Sequence, residues 1–191
     1  VLTTTRRRLS LTVGALTLAV TLAACSGGAE HNDADTQFAQ MMVLHHEGAV
    51  EMADLAVERA STEEVRALAE RITAAQGPEI ELMTGWLEAW DEDPPGSTDL
   101  GGMDHSGMDH GGMDMDGLDQ AEAMANVAAL SGVEFDRRFL ELMTAHHEGA
   151  VEMAEAVLAD GAHPDALDLA RSIIEAQAAE IAEMGGLLRG L

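Results

Sequence analysis

The chain has one cysteine and no lysine among its 191 residues. A single cysteine, Cys25, cannot close a disulfide within the chain, and it cannot build a multi-thiolate metal site. Any soft metal ligand must therefore be methionine. Positive charge is scarce as well: ten arginines face 35 acidic residues. Three of them, Arg6, Arg7 and Arg8, belong to a leader segment, and without them the net charge is about −28. Such a surface repels nucleic acid and anionic lipid and attracts cations. Strand signals are missing too, because Val and Ile occur singly inside helical patterns rather than in alternation.

What the chain does have, it has twice. Residues 35–53 read DTQFAQMMVLHHEGAVEMA and residues 136–154 read DRRFLELMTAHHEGAVEMA. The run His45 to Ala53 is identical to the run His146 to Ala154, at an offset of 101 residues. The same offset relates Gln76, Glu79, Ile80 and Met83 to Gln177, Glu180, Ile181 and Met184. A histidine-rich helix followed by a second helix has been duplicated.

Taken in order, residues 1–24 read as a lipoprotein signal peptide: a basic start, an apolar stretch and Leu22-Ala23-Ala24 before Cys25. Cys25 is then the lipidated N-terminus, which places the protein on the extracytoplasmic face of the cell membrane, with Sec or twin-arginine export both open. Residues 25–34 are a polar tether in which His31 reads as a lone surface histidine. In the first hairpin, residues 35–90, Phe38, Met42, His45, Ala49, Met52 and Ala56 recur at spacings of three and four. Ser61-Thr62-Glu63-Glu64 has the form of a capping box, and Gly77-Pro78 predicts a kink or break in the second helix. Residues 91–118 are rich in Gly, Asp and Pro and read as a flexible linker, carrying Met103, His105, Met108, His110, Met113 and Met115. The second hairpin occupies residues 119–191, with a short lead-in helix near 121–130, and His163 before Pro164 is read as an end-of-helix residue. Two such hairpins predict an all-α, four-helix antiparallel bundle around one core.

The chemistry lies on the inward faces. Met42 is one turn before His45 and His46, and Met52 is seven residues beyond His45, so these four fall within three turns of one helix. Glu79 and Met83 can point across from the second helix. Met143, His146, His147, Met153, Glu180 and Met184 repeat the pattern. A core methionine is ordinarily packing, but these positions persist in both copies while neighbours differ. Gly48 and Gly149 each cost a helix about 1 kcal/mol relative to alanine, which the close approach of another helix beside the histidines would offset. Thioether with imidazole selects Cu(I) or Ag(I), and imidazole also serves Cu(II). Copper is thus the expected ligand, Cu(I) favoured, with binding expected to weaken below about pH 6 as imidazole protonates.

The paired HHEGAVEMA runs, with Met before and Gln-x-x-Glu-Ile-x-x-Met after, resemble the DUF305 family. The resemblance implies an exported protein with a ferritin-like helical bundle and, in some members, a role in copper binding and tolerance. The linker resembles the Met/His-rich segments of periplasmic copper-resistance proteins. Glu-x-x-His, the ligand spacing of di-iron bundles, is absent from the sequence, which argues against an oxygen-activating enzyme. The reading is copper sequestration or delivery without catalysis. The alternative is a sensory or interaction bundle whose histidines are structural.

Overall fold

The computed structural model describes residues 30–96 and 117–191. The signal segment, Cys25 and the linker residues Met103, His105, Met108, His110, Met113 and Met115 lie outside the described residues. Among these residues five helices run in the order α1 (Asp33–Arg59), α2 (Glu63–Trp90), α3 (Gln120–Ala128), α4 (Val133–Asp160) and α5 (Pro164–Gly190). Among the described residues there is no strand, and the regular structure is all helical. The count of five among the described residues is four long helices and the short lead-in helix expected near 121–130, which is α3 and starts with a capping box of Asp119 and Glu122. No described helix is long and apolar enough to cross a membrane.

The termini explain most helix boundaries. Asn32 accepts from the N–H groups of Ala34 and Asp35, and Asp35 reaches back to the Asn32 N–H, so α1 begins with a closed capping box. At the start of α2 the expected box does not form, and Thr62 makes no side-chain cap bond. The hydroxyls of Ser61 and Thr62 donate instead to Asp136, on the other hairpin. Nor does Pro78 break α2, which is continuous to Trp90. Proline removes the N–H that would bond the Ala74 carbonyl. Pro78 and Ala74 are both exposed, so water can take that carbonyl while the inward ladder stays intact. Pro164 opens α5, with His163 as its N-cap residue.

α1 packs along α2, α4 along α5, and α1 lies against α4, with α3 resting on α4 and α1. Two buried clusters result. The first gathers Met52, Leu68, Ile72, Phe135, Phe139, Met143 and Met184. The second gathers Phe38, Met42, Met83, Leu87, Ala154 and Ile173. Each cluster draws on both hairpins. α1 and α4 are related by an approximate two-fold axis, which two buried aspartates make visible. Asp35 accepts from the N–H groups of Ala162 and His163, between α4 and α5. Asp136, 101 residues on, accepts from Ser61 and Thr62, between α1 and α2. Each hairpin thus clasps the turn of the other.

Gly48 has a specific neighbour. A Cβ there would lie 2.7 Å from Gln120 Oε1, and Gln120 Nε2 donates to the Gly48 carbonyl at 3.1 Å. The close approach is made by a side chain at the start of α3 rather than by a helix backbone.

Candidate metal centre

Successive residues of a helix point about 100° apart, and this divides each histidine pair between two neighbours. His45 faces α4, where its ring centroid lies 3.6 Å from that of His146 at an interplanar angle of 42°. His46 faces α2, where its Nε2 lies 2.8 Å from Glu79 Oε2. In the second hairpin His147 Nε2 lies 2.7 Å from Glu180 Oε2. Rings within each pair are 6.5 Å apart. The result is a belt of four imidazoles across the middle of the molecule, in which all four are buried. The two repeats meet in it, His45 against His146.

A carboxylate can only accept, so Nε2 of His46 and of His147 carries the hydrogen. In the neutral ring the lone pair then sits on Nδ1. Nδ1 of His46, His146 and His147 is buried without a hydrogen-bond partner. This is the arrangement in which a carboxylate fixes the tautomer and leaves the other nitrogen for a metal. Among the described residues no three His, Cys, Asp or Glu side chains already converge on one point. An ion would therefore have to draw the rings together by side-chain rotation. The orphaned nitrogens fit a cation.

The methionines flank the belt. Met42, Met52, Met83, Met143 and Met184 are fully buried, and Met153 is half-buried. Met42 and Met83 lie one turn from the His46–Glu79 pair on α1 and α2, and Met153 packs on the same cluster. Met143 and Met184 lie correspondingly beside the His147–Glu180 pair, and Met52 joins them. The Thr144 hydroxyl is 3.7 Å from Met184 Sδ. Met42 and Met52, grouped with His45 and His46 by their spacing on one helix, fall in different clusters, because the partner helix interleaves its own methionines. The thioethers are sorted by the contact between repeats and not by repeat.

Burial pushes the His146 imidazole well below its ordinary value of 6.5, helped by the neighbouring His45, His147 and His46 rings. Above about pH 6.5 both folded and unfolded His146 are neutral, and the stability of the metal-free protein is complete. As pH falls below that value the unfolded chain takes up a proton that the folded ring refuses. Stability is lost progressively until the folded ring itself protonates, at a slope of at most about 1.4 kcal/mol per pH unit from this group. Urea midpoints of the metal-free protein should be flat from pH 8 to 7 and fall towards pH 5. In His146→Leu the fall should be shallower; an identical profile would remove His146 as its cause.

Asp35 and Asp136 carry no local signal that sets them apart from the other acidic residues, although both stand at equivalent positions of the repeat. Gln76 and Gln177 stood in the motif without a role, and both are buried. His31 is not a lone surface residue: it stacks on Trp90 with centroids 4.5 Å apart and bonds Glu92 at 3.2 Å.

The family model of DUF305, a domain of unknown function, matches residues 35–188. A DUF305 fragment from Deinococcus radiodurans is 32% identical with a TM-score of 0.69, over 84% of this chain and 98% of that one. A DUF305 protein from Streptomyces coelicolor is 35% identical with a TM-score of 0.71, over 82% and 93% respectively. CopM in its Cu(I)-bound form is 29% identical with a TM-score of 0.65, over 82% and 96%. CopM has also been solved in Cu(II)-bound and Ag-bound forms. No protein of curated function matches the chain.

Proposed function

The chain belongs to the DUF305 family, and from that footing we propose that it binds copper in the buried histidine belt, as a store or carrier and not as an enzyme. The observation that carries this reading is the set of buried, unpartnered Nδ1 atoms on His46, His146 and His147. Glu79 and Glu180 orient His46 and His147, and their carboxylates offset the charge of a bound cation. Met42, Met83 and Met153 on one side, and Met52, Met143 and Met184 on the other, supply thioethers to Cu(I). Similarity to CopM, which has been solved with Cu(I), Cu(II) and Ag, supports the same chemistry.

In this proposal the four long helices act as a ferritin-like antiparallel bundle with α3 added. Cys25 carries a lipid that holds the protein at the extracytoplasmic face of the membrane. Met103, His105, Met108, His110, Met113 and Met115 form a weaker collecting arm, in which thioethers capture Cu(I) for transfer inward.

A Cu(I) titration against a competing chelator, for the full protein and for a variant lacking residues 99–117, tests the proposal. Tight binding is expected to survive the deletion, with only weak sites lost. Binding that disappears with the linker would reduce the helices to a scaffold. No binding in either protein would leave the histidines structural and favour a sensory or interaction role.

A further inference from the structure

The buried polar atoms that lack partners include, besides the histidine nitrogens and Thr36 Oγ1, those of two glutamines. Gln76 and Gln177 are 3% and 4% exposed. Neither Oε1 nor Nε2 of Gln76 has a hydrogen-bond partner, and neither has Gln177 Oε1. Native cores hold few such atoms, and each needs a reason. Leucine would fill much the same space with no polar atom to satisfy. The duplicated motif has nevertheless kept glutamine in both copies, while the next two residues changed from Gly77-Pro78 to Ala178-Ala179.

Their position narrows the reason. Gln76 precedes Glu79 by one helical turn on the inward face of α2, and Glu79 is held on His46. Gln177 stands in the same relation to Glu180 and His147 in α5. Two amide oxygens therefore join three imidazole nitrogens as buried polar atoms without partners near the middle of the molecule, beside one unpartnered donor, Gln76 Nε2. Acceptors outnumber donors in this set, and that surplus is suited to a cation. An amide oxygen is a hard donor, poor for Cu(I) or Ag(I). Combined with imidazole it suits Cu(II). Sulfur then lies in the flanking layers and oxygen with nitrogen in the belt.

We infer that Gln76 and Gln177 are specificity-determining residues, which give the histidine belt its hold on Cu(II) through their Oε1 atoms. The inference rests on the copper reading above and adds to it a chemical division between the two oxidation states. The price of the arrangement is borne by the metal-free protein, whose core keeps unpaired amides.

The test compares the full protein with Gln76→Leu/Gln177→Leu and with Gln76→Glu/Gln177→Glu. The readouts are the melting temperature without metal, Cu(II) affinity by chelator competition, and Ag(I) affinity as a redox-inert probe of the thioethers. In the leucine variant the metal-free melting temperature is expected to rise and Cu(II) affinity to fall roughly tenfold or more. Ag(I) affinity should stay within about twofold of the parent. The glutamate variant, which keeps an oxygen donor, should retain Cu(II). A lower melting temperature with unchanged Cu(II) affinity would make the glutamines structural and overturn the inference. So would an equal loss of Ag(I) and Cu(II), which needs no oxygen donor. Both outcomes leave the copper reading standing; a parent protein that binds neither ion sinks both.

Discussion

Replacing His45, His46, His146 and His147 together with leucine abolishes tight copper binding and leaves only the weak binding of the Met/His-rich linker. Loss of a residue that merely orients a ligand lowers metal affinity about 10- to 100-fold, so removal of the whole belt should exceed the upper end of that range. Leucine is the informative substitution. The four rings are buried, and Nδ1 of His46, His146 and His147 already lacks a partner. An apolar side chain of similar volume is tolerated there better than a truncation that leaves a cavity. Helical circular dichroism should therefore be retained, and the carboxylates of Glu79 and Glu180, which are 23% and 19% exposed, can turn to water. A folded quadruple variant that titrates like the parent would remove the belt from the metal chemistry altogether.

Asp136→Ala is expected to lower stability more than any other single substitution of a surface-type residue. The carboxylate is fully buried. It accepts from the Ser61 N–H at 2.8 Å and Oγ at 2.7 Å, and from the Thr62 N–H and Oγ1, both at 2.9 Å. Hydrogen bonds to charged groups contribute about 1.5–3 kcal/mol each, and they are not additive at one site. Alanine also strands the Ser61 and Thr62 donors in the turn between α1 and α2. A loss of about 3–4 kcal/mol follows, or on the order of 10 °C in melting temperature for a chain of this size. Asp136→Asn should lose less, because one oxygen still accepts while the amide NH₂ confronts donors. Asp35→Ala breaks the equivalent clasp at the opposite end and should add to Asp136→Ala nearly in full, the two sites sharing no partner. Thermal melts of the two single variants and the double decide it. A melting temperature for Asp136→Ala within about 2 °C of the parent would mean that the hairpins are held by apolar packing alone.

The sequence by itself determined a good deal. The three-and-four spacing of Phe38, Met42, His45, Ala49 and Met52 made α1 a helix with a definite inward face. The 101-residue offset made α4 its copy. Those are local, one-dimensional properties, since helical periodicity and capping depend on residues within a few positions of each other. The same locality left three matters to the tertiary structure. The partner of each histidine depends on which helix lies on which side, so His45 against His146 and His46 against Glu79 could not be separated by reading along the chain. Met42 and Met52, on one face of one helix, were parted because α4 crosses α1 at the histidines and brings Met153 and Met143 to opposite sides. Ser61 and Thr62 looked like a cap for their own helix, and were taken by Asp136 because a buried carboxylate offers a stronger acceptor than the turn could offer itself. The duplication wrote the same helix twice. Only packing the two copies against each other, with an approximate two-fold axis between them, made one histidine belt from two motifs.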